Sequence, residues 1–127
     1  MLEAVLLGLG PTAPLAVLEL MVELGADIHY RDSEGYGPIV SATWFSPPEF
    51  VGFLLKRGAN PNARFGTPPD TLLDLVYLDT YIAEDRARDT PRKPEFKLQR
   101  AEIWRLDQIR RLLLAAGAKT SKELEAL

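Results

Sequence analysis

Three glycines frame this chain. Gly25 lies in LMVELGADIHYRD, Gly58 in FLLKRGANPNARF and Gly117 in LLLAAGAKTS, three segments that echo one another. The first two are 33 residues apart and the last two 59, one period plus 26. Each follows an apolar run with helical spacing, where the next residue takes a left-handed conformation open to glycine at little steric cost. A sequence repeating at such an interval predicts stacked units, because one unit of this size cannot bury its apolar side alone.

The middle copy is the most regular. Asp32-Ser33-Glu34-Gly35-Tyr36-Gly37-Pro38 leads into Ile39-Val40-Ser41-Ala42. Pro38 suits the first turn of a helix, where the amide it lacks has no partner. Ser46-Pro47-Pro48-Glu49 predicts a second helix opened by a capping box, with Ser46 accepting from the Glu49 amide and Glu49 reaching back. Phe50, Val51, Phe53, Leu54 and Leu55 form its expected buried stripe, and Gly58 ends it. The unit is helix, loop, helix and extended finger.

The run from Asp32 to Ala42 resembles the ankyrin pattern D-x-x-G-x-T-P-L-H-x-A. With the 33-residue register and the G-A-[DN] corners, most of the chain resembles the ankyrin-repeat family. The resemblance implies an all-α ankyrin-repeat solenoid of helix-loop-helix units with extended finger loops, in a single domain over 1–127. Repeat 1, about 1–31, is degenerate: AVLLGL at 4–9 stands in the place of T-P-L-H-x-A without matching it. Leu15, Leu18, Met21 and Val22 are the inner stripe of its second helix, which suits an N-terminal cap or a piece cut from something longer. Met1 and a well-formed C-terminal cap favour a whole small protein. Repeat 2 covers about 32–64.

Repeat 3, about 65–127, opens at Thr71-Leu72-Leu73-Asp74, a Thr-x-x-Asp capping box. Its first helix is expected to run on through Tyr81 and Ile82. The polar stretch from Glu84 to Pro94 then turns the chain, with Pro91 and Pro94 barring a continuous helix. A long second helix follows, with Phe96, Ile103, Leu106, Ile109, Leu113 and Ala116 inward, and Gly117 stops it. Thr120-x-x-Glu123 caps a short terminal helix. The inserted segment is about 80–104, and 84–98 has no counterpart in the family pattern.

Several chemistries are set aside on composition. There is no cysteine, so no disulfide, thiolate metal site or cysteine nucleophile. The single histidine, His29, sits on a finger and reads as a turn or interface residue, not a base. Asp70 and Asp74 lie one helical turn apart, but a helix N-terminus explains them. Asp79, Glu84 and Asp85 lack the spacing of a calcium loop. No catalytic residue, metal or cofactor is expected. The start, MLEAVLLGLG, has Glu3 where a signal peptide carries basic residues, and no apolar run reaches the ~18 residues of a membrane span. A cytoplasmic protein with no membrane role is expected.

The net charge of −3 hides an asymmetry: residues 1–83 carry ten acids and four bases, and residues 84–111 carry nine bases and six acids. An acidic face attracts a basic partner and repels nucleic acid. Nucleic-acid binding by the basic 86–111 helix is a weaker alternative, because its bases alternate with acids. Glu102, Arg105 and Asp107 are expected to form a mixed-sign solvated face.

The resemblance places partner recognition on the finger tips and outward helix positions. These are Ser33, Glu34, Tyr36, Trp44, Phe45 and Arg64, with Tyr30 and Arg31 from the first finger and Asp79 from the third repeat. Tyr36 and Trp44 are the expected anchors, since Trp, Tyr and Arg dominate interface hot spots. Both rings are expected to be replaceable by alanine without loss of fold. Trp44 and Phe45 also suit a core role beneath the insertion, and the sequence leaves both readings open. The expected function is a non-catalytic module, monomeric alone, that binds another protein. Two kinds of module fit: a bacterial immunity or antitoxin protein neutralising a basic toxin, or an adaptor or scaffold.

Overall fold

Gly58 takes a φ of +95°, its N–H donates to the Leu55 carbonyl, and the Ala59 N–H donates to Leu54. That pair of bonds is a Schellman turn. It returns at Gly25 and Gly117, with φ of +98° and +88°. The turn beyond also repeats. Asp27 Oδ1 accepts from the His29 amide and, 33 residues on, Asn60 Oδ1 accepts from the Asn62 amide, both at 2.9 Å.

The computed structural model describes residues 14–89 and 95–126, the side chains of residues 95 and 96 excepted. The AVLLGL segment at 4–9, the expected turn at Pro91 and Pro94 and the packing of Phe96 fall outside the described residues. The described part is mostly helical: α1 (Leu15–Glu23), α2 (Pro38–Phe45), α3 (Pro48–Lys56), α4 (Leu72–Asp89), α5 (Glu95–Ala115) and α6 (Ser121–Glu125). Between α3 and α4 lie two short strands, β1 (Arg64–Phe65) and β2 (Asp70–Thr71), paired antiparallel with Arg64 opposite Thr71 and Phe65 opposite Asp70. None of the described helices is long and apolar enough to cross a membrane.

One core runs through the helices. Leu18 of α1, Val40 and Ala42 of α2, Phe50, Val51 and Leu54 of α3, Leu72 and Val76 of α4, and Leu106, Ile109 and Leu113 of α5 are fully buried and contiguous. Phe53 and Leu55 are half-buried at its margin, as are Leu15, Met21 and Val22. Ala116, expected inward, is exposed, because the chain is already leaving the helix there.

Three capping expectations meet different outcomes. Thr71 and Asp74 form their box: the Thr71 amide donates to Asp74 Oδ2 at 2.9 Å and the Asp74 amide to Thr71 Oγ1 at 3.3 Å. Thr120 and Glu123 form theirs. Ser46 does not. Pro47 is the N-cap of α3, at φ −59° and ψ 152°, and Ser46 Oγ is buried with no hydrogen-bond partner among the described residues. Two consecutive prolines hold the backbone extended and delay the helix start by one residue. Ser46 therefore belongs to the end of α2, its N–H donating to the Ala42 carbonyl.

The insertion also departs from expectation. The chain does not turn at Glu84, because α4 continues to Asp89. Nothing in Glu84–Asp89 breaks a helix, and Ala83 and Ala87 supply small buried positions one turn apart. The described part of the 80–104 segment is thus built as extra turns of α4 and α5, which form the most extensive helix pairing among the described residues.

Candidate functional site

The site begins with a difference in helix length. α2 has eight residues and α4 has eighteen, so α4 is longer by about 15 Å at the α-helical rise. The extra turns of α4 and the facing half of α5 leave an open cleft of about 480 Å³ beside the end of α2. α4 presents Asp79, Ile82, Ala83 and Arg86 to it, at the i, i+3, i+4, i+7 spacing of one helix face. α5 presents Leu98, Gln99, Glu102 and Arg105, and α2 contributes Trp44 and Phe45.

Arg105 joins these elements. The residue is 4% exposed, and all five of its N–H groups are engaged. Nη1 donates to the carbonyls of Thr43 at 3.2 Å and Ser46 at 2.8 Å, and Nη2 to that of Trp44 at 2.8 Å. Nε and Nη2 grip the two Glu102 oxygens at 3.0 and 2.8 Å. The expected solvated face is therefore wrong at this position. A cation at the C-terminal end of α2 satisfies carbonyls that lack an intrahelical partner and meets the negative end of the helix dipole. The sequence did carry a signal: α2 ends in Trp44-Phe45-Ser46-Pro47 with no glycine corner, so its last carbonyls require a donor from elsewhere.

An aromatic line leads into the cleft. Phe65 of β1 lies 5.6 Å from Tyr36, Tyr36 stacks on Trp44 at 5.6 Å, and Trp44 lies 6.0 Å from Phe45. Helical side chains lean toward the N-terminus, which carries the Trp44 ring back over α2 to Tyr36. Phe65 is buried, Tyr36 and Trp44 are half-buried against the core, and Phe45 is 46% exposed. The two expected anchors thus also pack against the core, the role that the sequence had left open for Trp44.

The other expected contact residues are placed as follows. Ser33 and Glu34 are exposed in the loop before α2, where Asp32 Oδ1 accepts from the Glu34 and Tyr36 amides at 2.9 and 3.0 Å. The Glu34 carbonyl accepts from the Gly66 amide at 2.9 Å, tying this loop to the next finger. Tyr30 is exposed, and half-buried Arg31 donates to the Gly35 carbonyl at 3.2 Å. Arg64 is exposed and reaches the Ser121 carbonyl at 3.5 Å, toward α6 and away from the cleft. The structure therefore brings Tyr36, Trp44, Phe45 and Asp79 onto one surface and sends Arg64 elsewhere.

Charge at the cleft is uneven. Asp79 is half-buried, and its carboxyl is pushed up from the usual range by burial and then by Glu102, with Arg105 pulling the other way. No described residue donates a hydrogen bond to it. Elsewhere on α4 and α5 Arg88 pairs with Asp85 at 3.3 Å, and Arg110 and Arg111 share Asp107 at 2.7 and 3.0 Å. No cluster of metal-binding side chains occurs among the described residues.

No family model matches the chain, and no solved structure matches it. Among curated proteins it is similar to human protein phosphatase 1 regulatory subunit 27, 36% identical over 77 residues, which are 59% of this chain and 47% of that protein. The mouse protein of the same name is 35% identical over 79 residues, 61% of this chain and 48% of that protein. The chain spans about half the length of the curated relatives it matches.

Proposed function

We propose that this chain is a non-catalytic protein-binding module of the ankyrin-repeat kind, acting in the cytoplasm as a regulatory or adaptor partner. The observation that carries the reading is the aromatic line of Tyr36, Trp44 and Phe45 running into a cleft rimmed by Ile82 and Leu98, 37% and 71% exposed. Contiguous exposed apolar groups beside polar ones mark interaction sites on folded proteins. The two relatives are named as regulatory subunits of a phosphatase, which supports a role exerted through another protein. The repeated Schellman corners and finger turns support the ankyrin reading. Acids interleaved with the bases along α4 and α5, such as Asp85 beside Arg88 and Asp107 beside Arg110, oppose the approach of phosphate and weigh against nucleic-acid binding. The narrower idea of an immunity protein against a basic toxin rests on charge alone and draws no support from the relatives.

The test is site-specific photocross-linking. A photoreactive residue at Phe45 should yield one discrete adduct in cells of the source organism, and the same group at exposed Glu19 should not. Equal labelling from both positions, or none from Phe45, would remove this surface as the binding site. Purified protein phosphatase 1 catalytic subunit is the first defined partner to offer.

A further inference from the structure

We propose that the cleft beside the end of α2 receives a basic side chain flanked by a large apolar one, so that its ligand is a short amphipathic protein segment carrying lysine or arginine. This rests on the protein-binding reading above and narrows it. The apolar requirement comes from Phe45, Ile82 and Leu98, which open onto one cleft with the Trp44 ring at its edge. Large apolar side chains of a partner fill such a space and gain by leaving water.

The basic requirement comes from Asp79. Its carboxylate is half withdrawn from water, lies within the field of Glu102, and receives no hydrogen bond from any described residue. Arg105 acts on it only at a distance, because all five of its N–H groups are committed to Glu102 and to the carbonyls of Thr43, Trp44 and Ser46. Glu102 is held at both oxygens by that arginine. Arg86, which also lines the cleft, has interactions of its own. An incoming ammonium or guanidinium would therefore meet a carboxylate that has no donor among the described residues. It would also approach Trp44 and Phe45, whose ring faces attract cations. An anionic segment would instead meet the carboxylates of Asp79 and Glu102, in a cleft whose two arginines, Arg86 and Arg105, already hold other interactions. The acidic excess over residues 1–83 draws basic partners from a distance in the same sense.

A random peptide library displayed against wild type, Asp79→Asn and the double variant Phe45→Glu, Leu98→Glu tests this. Wild type should enrich peptides with lysine or arginine close to Phe, Trp, Leu or Met. The best of them should bind Asp79→Asn about tenfold or more weakly, while its norleucine-for-base counterpart binds both proteins alike. The double variant should enrich none of them. Asp79→Asn should melt no lower than wild type, since it removes a half-buried charge with no hydrogen-bond donor among the described residues, so the weakening is not unfolding. Enrichment without a basic preference, or equal binding of the basic peptide by Asp79→Asn, overturns the cleft chemistry. So does a wild type that enriches nothing beyond the double variant. If cross-linking at Phe45 still traps a partner in those cases, the protein-binding reading stands and only its ligand is wrong; if cross-linking fails too, both fall.

Discussion

Arg105 shows how much can depend on one side chain. It couples the inserted helices to the end of α2, and removing it leaves three carbonyls and Glu102 without their donor. Arg105→Met should therefore lower the unfolding free energy by about 2–4 kcal/mol. Arg111→Met, at a side chain 67% exposed, should stay within about 0.5 kcal/mol. Urea titrations of the two variants make the comparison, and equal midpoints would show that the buried contacts contribute little. Lysine at 105 should not restore stability, because a single ammonium cannot match a planar fork serving five acceptor contacts. Asp79 gives a second prediction at this scale. Its folded carboxyl binds a proton more readily than the unfolded one, so the native state loses stability as pH rises from the ordinary carboxylate value of 3.8 through the raised folded one. Asp79→Asn should remove that loss, and its stability advantage over wild type should grow with pH across this window in chemical denaturation.

Among the elements, the caps decide where helices begin and how the C-terminal end is attached. Asp74 serves two of them. It closes its own box with Thr71, and it accepts from the Ser121 amide at 3.1 and 3.3 Å, fastening α6 to the start of α4. Burial pushes its carboxyl up, but the hydrogen bonds from Thr71 and Ser121 outweigh this and hold it below the ordinary value. That stability is present above the unfolded carboxylate value and is lost as pH falls through the folded one. Asp74→Ala should cost about 1–2 kcal/mol. It should also speed amide exchange at Ser121 and Leu124 ahead of the core, and unchanged exchange there would mean that α6 is held by other contacts. The glycine corner has a similar test. Gly58→Val puts a β-branched side chain at φ +95° and should destabilise by about 1–3 kcal/mol, read as a lower melting temperature.

For the molecule as a whole, fold and recognition overlap in the aromatic line. Tyr36 and Trp44 pack against the core and stack on each other, so Tyr36→Ala with Trp44→Ala should lower the melting temperature markedly and weaken binding only together with folding. Phe45→Ala, at the more exposed end of the line, should leave melting nearly unchanged while weakening partner capture. If the two variants behave alike, the line is a single structural unit and the contact surface lies elsewhere.

Much of this molecule was legible in its sequence, and for local reasons. The Schellman corners at Gly25, Gly58 and Gly117, the proline start of α2 and the boxes at Thr71–Asp74 and Thr120–Glu123 depend on residues within a few positions of one another, so their patterns survive in one dimension. The buried stripes of α3 and α5 follow from helical period. Even locally there was competition, since Pro47 outweighed Ser46 at the start of α3. The resemblance to stacked repeats came from the same local features. Long-range pairing was not legible. Nothing adjacent to Arg105 distinguishes it from Arg100 or Arg111, and its burial follows from α2 ending opposite α5, 59 to 62 residues away in sequence. The cleft likewise exists because α4 outruns α2, a mismatch between elements that no single segment records. The sequence by itself thus determined the elements, their ends and the repeat interval, because these rest on steric and hydrogen-bonding preferences of neighbouring residues. Only the tertiary structure decided that Tyr36 and Trp44 are half core, that Arg105 is a buried clasp and that Asp79 has no donor among the described residues, because burial and donor supply depend on what the other helices bring.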